Sequence, residues 1–314
     1  MELPEQIGAT VADELEPMIE VTPALTQKRR SQGRIIFDRF IKNRPALIGA
    51  MFLILLILLC FLGPLLTGHN HPDVLNLTGA VGTFATPSWQ YPFGTDDVGR
   101  DQFARAMSGG QVSLEVGLLS MLISVVIGIG IGAFAGYYGG IIDNILMRIT
   151  DVVLAVPLYL LLFVVSSALT DHSPTSVVFL ISVFGWTTAA RLVRGEFITL
   201  REREYVMAAR TIGARNMSLM FRHILPNAAG AIIVNATLLI GNNIILESVL
   251  SFFGFGIQTP FASWGNMISY GEGFFDSDPL LVLIPGLLIF LTVLSFNLVG
   301  DGLRDALDPY MTER

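Results

Sequence analysis

Six stretches of this chain contain no Asp, Glu, Lys or Arg, and each is long enough to cross a lipid bilayer as a helix. They cover residues 46–67, 116–138, 152–170, 172–190, 224–246 and 279–300. A helix needs about 20 apolar residues to cross about 30 Å of hydrocarbon. Only 14% of all residues are charged, against roughly 25% in an average soluble domain. The sequence therefore predicts an all-α membrane protein with six transmembrane helices.

The basic residues predict which ends of these helices face the cytoplasm. All but two of the 19 lysines and arginines lie before the first stretch, between the second and third, around the end of the fourth and the loop after it, or after the sixth. The two exceptions are Arg100 and Arg105. Because cytoplasmic loops are enriched in lysine and arginine, we expect both termini in the cytoplasm and residues 68–111 and 251–278 outside it.

The chain before the first stretch divides into an acidic and a basic part. Residues 1–27 are expected to form a disordered, acidic cytoplasmic tail. In the segment 28–45, isoleucine and phenylalanine alternate with basic residues at helical spacing. This pattern predicts an amphipathic helix on the anionic cytoplasmic leaflet, and a simple charge cluster that orients the first helix explains it equally well. Residues 304–314 are expected to form a cytoplasmic C-terminal tail.

Glycines and prolines inside the stretches predict close packing and bends. Gly128, Gly132 and Gly136 recur at every fourth position, so a neighbouring helix, of this chain or of another subunit, can approach closely along that face. Pro157 and Pro285 each remove a backbone donor. We expect them to kink the third and sixth transmembrane helices.

Composition excludes several classes of function. The formal net charge of −7 leaves no basic surface for nucleic acid. Neither Lys28 nor Lys42, the two lysines, follows a glycine, so the nucleotide-binding loop G-x-x-x-x-G-K-[ST] is absent. The single cysteine, Cys60, lies in an apolar stretch and is expected to be buried and inert. ATP hydrolysis through such a loop is therefore not expected of this chain.

The predicted cytoplasmic loop at about 200–226 contains an apolar helix. Tyr205, Ala208, Ala209 and Ile212 stand at i, i+3, i+4 and i+7, which places them on one helical face. Gly213 is suited to end the helix in a left-handed conformation. An exposed apolar face of this kind docks into a groove of a partner or rests on lipid, and composition does not decide between the two.

The rest of the loop predicts how the chain enters the fifth helix. Asn216 is expected to cap a second short helix. Pro226 is expected to mark the boundary at which the fifth transmembrane helix begins.

The loop resembles that of the inner-membrane permease subunits of binding-protein-dependent ABC importers, whose motif reads E-A-A-x3-G-x9-I-x-L-P. The residues that match at the family's spacing are Ala208, Ala209, Gly213, Leu225 and Pro226. Two positions depart from the motif, because Met207 replaces the glutamate and His223 the isoleucine. The dipeptide, oligopeptide and nickel permeases form the branch in which Glu204, Tyr205 and Arg222 are usual around this motif.

Three further segments resemble the second permease of each pair in that branch. They are residues 92–101, residues 250–258 with 263–265, and residues 296–309. The resemblance extends over about residues 29–310. It implies the type I ABC importer permease fold for residues 112–303, a place in the bacterial inner membrane, and transport rather than enzymatic catalysis.

The resemblance also implies partners. A second, homologous permease completes a path for dipeptides or oligopeptides, and an extracytoplasmic binding protein delivers them. Two cytoplasmic ATPase subunits, identical or different, bind ATP and Mg, and no cofactor is expected in this chain. The residues implied in the contact with the ATPases are Glu204, Tyr205, Ala208, Ala209, Gly213, Arg222, Leu225 and Pro226. Nickel or another small solute is the alternative cargo, because selectivity in this family lies largely in the binding protein.

Two groups of polar residues are candidates for other sites. The first group is suited to ion pairs with the binding protein or, alternatively, to a local turn: Asp96, Asp97, Arg100 and Asp101. The second lies near the end of the fifth stretch and is suited to the path or a gate, or to a structural contact with polar neighbours: Asn242, Asn243 and Glu247. His69, His71 and Asp73 supply too few ligands for a structural metal site, so no metal is expected.

Two other classes of protein are weighed against the importer. An ion-coupled secondary transporter needs ionisable residues near the midplane of several helices, often with inverted repeats. The six stretches are free of such charges, and the pattern of residues 204–227 is not repeated. An intramembrane enzyme needs paired carboxylates, a Ser/His arrangement or metal ligands within the bilayer, and the stretches show none of these.

Overall fold

The computed structural model describes residues 32–66 and 83–307, and most of them are helical. In chain order the helices are α1 (Gln32–Lys42), α2 (Arg44–Leu66), α3 (Gln102–Tyr138), α4 (Gly140–Ala155), α5 (Leu158–Ser167), α6 (Pro174–Arg201), α7 (Glu204–Thr211), α8 (Leu225–Phe252), α9 (Trp264–Glu272) and α10 (Leu280–Leu307). The predictions for residues 1–27, for the histidines at 69 and 71, and for 308–314 lie outside the described residues.

Five segments of the described chain are long and apolar enough to cross a membrane. They are Arg44–Gly63, Gln102–Tyr138, Pro174–Arg201, Asn216–Phe252 and Leu280–Leu307. A sixth crossing is made only if α4 and α5, which are bent by 82° at the break between them, are counted as one. The described part of the chain is thus that of an all-α membrane protein with five or six candidate crossings.

The break between α4 and α5 is larger than the kink that Pro157 predicted for the helix over residues 152–170. Val156 is extended, with φ −88° and ψ 131°, because a proline disfavours the helical conformation of the residue before it. Pro157 itself has no N–H to donate to the preceding turn. Pro285, which was also expected to bend its helix, lies inside an uninterrupted α10.

Some helices extend beyond the charge-free stretches. α3 begins at Gln102, inside the predicted loop 68–111, because the carboxylate of Asp101 accepts the N–H of Phe103 at 2.8 Å and caps the helix. At 37 residues, α3 is about 55 Å long and therefore reaches beyond a hydrocarbon layer of about 30 Å. α10 likewise continues through residues 304–307, which were predicted to belong to the tail. A search for stretches without charged residues finds only the part of a helix that lies in lipid.

The predicted glycine face packs α3 closely against α6. A Cβ atom at Gly132 would lie 2.4 Å from the carbonyl oxygen of Ala190, and one at Gly136 would lie 2.7 Å from that of Arg194. Gly128 faces α6 in the same way. The missing side chains let two backbones touch, and the neighbour is a helix of the same chain.

The bundle has two ends, which we name after the short helix at each. Three elements begin at the α7 end, namely α2, α4 and the span Asn216–Phe252. Three helices end there, namely α3, α6 and α10. At the α9 end, α3, α6 and α10 begin, and α2 and α8 end. Residues predicted to contact a partner in the cytoplasm and outside it therefore lie at opposite ends.

α1 lies at the α7 end against α10, within the predicted segment 28–45. A Cβ atom at Gly302 of α10 would lie 3.3 Å from the ring of Phe40, and Asn43 donates a hydrogen bond of 3.1 Å to Asp305. Phe37 remains 61% exposed, and the last turn carries basic residues. The described chain leaves this apolar and basic surface uncovered, and residues 44–45 belong to α2 instead.

Candidate functional site

α7 is attached to the bundle through two small side chains. Val206 is fully buried and Ala209 nearly so. Both belong to an apolar cluster that includes Phe197 of α6 and Leu219 of the turn before α8. The helix has an acidic residue in its first turn and a basic one in its last, which suits the helix dipole. Its position is therefore set by apolar packing on one side.

The other side of α7 is uncovered in the described chain. Tyr205, Met207, Ala208 and Ile212 are exposed, and Ile212 is exposed by 86%. The predicted apolar face is correct for Tyr205, Ala208 and Ile212 but wrong for Ala209, which points into the core. A short helix with apolar residues on both sides gives no polar face from which the buried side can be deduced.

The end of α7 agrees with one prediction and corrects another. Gly213 has φ +88°, and its N–H donates to the carbonyl oxygen of Arg210, so this glycine ends the helix as predicted. Asn216 is the first residue of a short helical turn, Asn216–Ser218, and forms no cap. Its side-chain oxygen accepts a 2.8 Å hydrogen bond from the hydroxyl of Tyr137. This bond ties the loop to the end of α3.

The chain enters the next span earlier than predicted. Helical structure begins at Asn216 and passes through a π-helical turn, Leu219–Ile224, before Pro226. In this wider turn the N–H of Leu225 donates to Met220, five residues back. Pro226, which has no N–H, follows without ending the helix. Its ring is exposed, as is Arg222, while Leu225 is half-buried.

At the α9 end, a buried carboxylate connects two helices and the segment between α8 and α9. Glu247 of α8 is completely buried and accepts hydrogen bonds from the hydroxyls of Ser113 at 2.9 Å and Ser251 at 2.7 Å. Each hydroxyl in turn accepts a backbone N–H, Ser113 that of Trp264 at 3.2 Å and Ser251 that of Ile257 at 2.9 Å. Glu247 thus has the polar neighbours that a structural contact requires. A role of Glu247 as a gate stays a prediction.

The two asparagines before Glu247 differ in their surroundings. Asn242 is exposed, whereas Asn243, one helical turn before Glu247, is completely buried. Neither polar atom of the Asn243 side chain forms a hydrogen bond within the described chain. Their proposed place along the path stays a prediction.

The charged residues at 96–101 bind partners within the chain. Asp96, which is completely buried, accepts the backbone N–H of Arg100 at 2.8 Å and its Nε at 2.6 Å. Asp97 accepts a hydrogen bond from the hydroxyl of Tyr270, and Asp101 caps α3. The contact of Asp96 with Arg100 matches the local turn that was the alternative to docking, whereas Asp97 is bound by α9. The contact with a binding protein stays a prediction.

Tyr270 of α9 is a residue of this end that the sequence did not reveal. The guanidinium carbons of Arg100 and Arg105 lie 5.0 Å and 5.8 Å from the centre of its ring. Burial and the hydrogen bond to Asp97 raise the pKa of Tyr270 to about 12. Tyr270 stands 173 residues from Asp97, so no local spacing could have predicted the contact.

Glu115 is a second missed residue. It lies in α3, close to Ser113 in sequence, but its side chain is exposed whereas Ser113 is buried. An ionisable residue in a spanning helix is a candidate for function. The sequence did not reveal Glu115 because the second charge-free stretch begins at residue 116, one position after it.

Metal ligands do not cluster in the described ranges. No group of three or more His, Cys, Asp or Glu side chains within 32–66 and 83–307 is arranged to hold a metal ion. The two histidines that the sequence offered lie between these ranges.

Comparison with known families decides the class of this bundle. The model of the binding-protein-dependent transport system inner membrane component matches residues 128–313, and that of the N-terminal TM domain of oligopeptide transport permease C matches residues 31–78. The chain belongs to the family of binding-protein-dependent inner-membrane transport components. The resemblance seen in the loop motif is confirmed, and so is a multi-pass protein of the inner membrane.

Named relatives of this transport component match over most of their length. The oligopeptide transport system permease protein OppC of Bacillus subtilis (strain 168) is 37% identical over 285 residues, 91% of this chain and 92% of the relative. The dipeptide transport system permease protein DppC of Alkalihalophilus pseudofirmus is 40% identical over 281 residues, 90% of this chain and 91% of the relative. The glutathione transport system permease protein GsiD of Escherichia coli O6:K15:H31 is 40% identical over 283 residues, 89% and 91% of the two chains.

Solved structures show the fold of this transport component. A chain of the inward-facing MetNI methionine ABC transporter superposes with a TM-score of 0.53 at 18% identity and covers 65% of this chain and 96% of that chain. A chain of an amino acid ABC transporter with histidines superposes with a TM-score of 0.50 at 16% identity, covering 64% and 92%. The predicted type I ABC importer permease fold is confirmed.

Proposed function

We propose that the chain is one of two permease subunits of an ATP-driven importer that takes up peptides delivered by an extracytoplasmic binding protein. The observation that carries this proposal is the uncovered apolar side of α7 at the position of the family's loop motif. The relatives above are named for oligopeptides, a dipeptide and glutathione, which are all peptides. Their names support peptide as the cargo.

The exposed side of α7 is the contact through which energy reaches this subunit. Concentrating a solute a thousandfold costs about 4 kcal/mol, and the chain lacks the nucleotide loop that would supply it. A helix with exposed Tyr205, Ala208 and Ile212 suits a groove on a partner, where a small residue permits close approach. In this proposal the partners are two ATPase subunits that bind ATP and Mg.

The orientation follows from the same assignment. The α7 end has most of the basic residues, so it faces the cytoplasm, and the α9 end faces the binding protein. α1 then lies on the anionic cytoplasmic leaflet with Phe37 towards lipid. Both termini are cytoplasmic in this arrangement.

The second permease contacts the side of the bundle that α4 exposes. Of the residues of α4, only Thr150 is buried, while Ile141, Ile145 and Ile149 are exposed. Ion pairs of Asp143 with Arg194, at 2.5 Å, hold α4 to α6 and leave its apolar side outward. A homologous subunit covers such a surface and completes the path.

The test is purification of the assembly from native membranes with a tag on this chain, for the wild type and for Ala208→Trp. We expect the wild type to carry a second permease and one or two chains with nucleotide loops, and to take up a labelled peptide into proteoliposomes only with ATP. The Ala208→Trp variant should keep the second permease and lose the ATPases and uptake. A folded chain that transports peptide alone, with an ion gradient, would instead establish a secondary transporter.

A further inference from the structure

The α9 end contains a pocket of about 350 Å³. The contacts of α7 and of the buried carboxylate of Glu247 assign no role to this pocket. The start of α3, the segment between α8 and α9, and α9 itself bound it. Its polar lining includes Arg100, Arg105, Ser251, Ser269 and Tyr270. At this size it holds a short side chain and not an oligopeptide.

The lining of the pocket contains two guanidinium groups, of which that of Arg100 is ion-paired with Asp96 behind it. The lining itself contains no carboxylate. Within the described ranges, the guanidinium of Arg100 donates a hydrogen bond through Nε only, to Asp96. A guanidinium has five N–H donors, so the donors at the two Nη atoms of Arg100 remain for a further acceptor.

The arginines are held in place by their neighbours. The ring of Tyr270 lies beneath both guanidinium groups, and Asp97 fixes the hydroxyl of Tyr270 through a hydrogen bond. The wall also includes Ser251, whose hydroxyl donates to the buried carboxylate of Glu247. A pocket built on such fixed groups binds a ligand with little cost in reorganisation.

We propose that this pocket binds a carboxylate group. A planar guanidinium matches a carboxylate with two parallel hydrogen bonds. Given the proposed function, on which this step rests, the carboxylate comes either from an acidic side chain of the binding protein or from the C-terminus of the transported peptide. The chemistry is the same for both.

The direct test uses a charge placed inside the pocket. The Ser269→Asp variant supplies a carboxylate of its own, and Ser269→Asn is its neutral match in size. N-acetylglycine is expected to raise the melting temperature of the purified assembly for the wild type and Ser269→Asn, and N-acetylglycinamide is not. Loss of this effect in Ser269→Asp supports the site, and an equal effect in both variants overturns it. Thr259 also lines the pocket, in the segment between α8 and α9. Thr259→Asp and Thr259→Asn therefore repeat the comparison from another wall if Ser269→Asp fails to fold.

Transport measurements distinguish the two sources of the carboxylate. If the binding protein supplies it, Ser269→Asp raises the concentration of binding protein that half-saturates ATPase stimulation by about tenfold or more, with or without peptide. If the peptide supplies it, only the half-saturating concentration of peptide rises. If wild-type uptake works and Ser269→Asp equals Ser269→Asn in both measurements, the pocket has no such role. An inactive wild type would count against the proposed function instead, while the melting test still decides the pocket.

Discussion

The two ends of the bundle are held together in different ways. At the α7 end, a short helix rests on the core through Val206 and Ala209 and exposes its other side. At the α9 end, buried polar groups tie separate elements together through the carboxylate of Glu247. Apolar contacts have no direction and tolerate small shifts, whereas a buried hydrogen-bond network fixes one arrangement. The comparison indicates that the α7 end is suited to transmit movement and the α9 end to keep its shape.

The largest effect is expected at Glu247. Replacing it in Glu247→Ala leaves the hydroxyls of Ser113 and Ser251 without their buried acceptor, which should lower the free energy of unfolding by about 3 kcal/mol or more. Unfolding in mixed micelles by a denaturing detergent measures this. The matched control is Glu115→Ala, at an exposed carboxylate of α3, for which a change within about 0.5 kcal/mol is expected. Equal losses in both variants would show that the network does not stabilise the α9 end.

The next effect concerns the contact of α3 with α6, which joins the two ends. In Gly132→Ala the new Cβ would lie 2.4 Å from the carbonyl oxygen of Ala190, so the helices must separate, at a cost of about 1–3 kcal/mol. Gly130→Ala is the control, because nothing lies within 4 Å of its Cβ. That substitution should be neutral or stabilise by about 0.5–1 kcal/mol. Unfolding in mixed micelles compares the two variants. Equal destabilisation by Gly132→Ala and Gly130→Ala would contradict the close contact of α3 with α6.

A smaller effect is expected inside the α7 end. Val206→Ala removes two buried methyl groups from the cluster with Phe197 and should cost about 1–2 kcal/mol. Its neighbour Met207 is 50% exposed, so Met207→Ala should leave the thermal stability of the purified protein unchanged. A greater loss of stability in Met207→Ala would mean that α7 is attached by its other face.

The smallest effect is a titration at the α9 end. Burial and Asp97 raise the pKa of Tyr270 to about 12, above the ordinary value of about 10. The raised pKa of Tyr270 adds to the free energy of unfolding, because the folded state holds the phenol proton more tightly. This contribution is fully present below about pH 10 and is lost as the pH rises towards 12. The difference in tyrosinate absorbance between the wild type and Tyr270→Phe should therefore show no ionisation of Tyr270 near pH 10. About half of the full tyrosinate signal at pH 10, as a phenol of ordinary pKa gives, would show that the phenol is not held as described.

The sequence predicted those parts of the fold that depend on local pattern. Charge-free stretches located the spanning helices, and the spacing of Gly128, Gly132 and Gly136 predicted a close helix contact. The break at Pro157 was underestimated, because a proline gives the position of a bend but not its size. The start of α3 was missed because Asp101, read as a surface charge, is a helix cap.

The site at the α7 end was more predictable than that at the α9 end. One loop motif contains Ala208 and Gly213, whereas the burial of Ala209, the hydrogen bond of Asn216 and the helical turns before Pro226 needed coordinates. Ser113, a partner of Glu247, and Tyr270, the partner of Asp97, lie 134 and 173 positions away from them. Serine and tyrosine at such distances show no pattern in one sequence, because only the packing of helices brings them together.

The most direct test of the account is cross-linking from two adjacent alanines of α7 in the assembled transporter. Ala208 is exposed and Ala209 is buried, so a photoreactive maleimide labels Ala208→Cys in membranes. The buried thiols of Ala209→Cys and of the native Cys60 are shielded from it. We predict a cross-link from position 208 to a chain with a nucleotide-binding loop and little or none from position 209. Cross-links from position 208 to lipid alone, in membranes that still take up peptide with ATP, would contradict it.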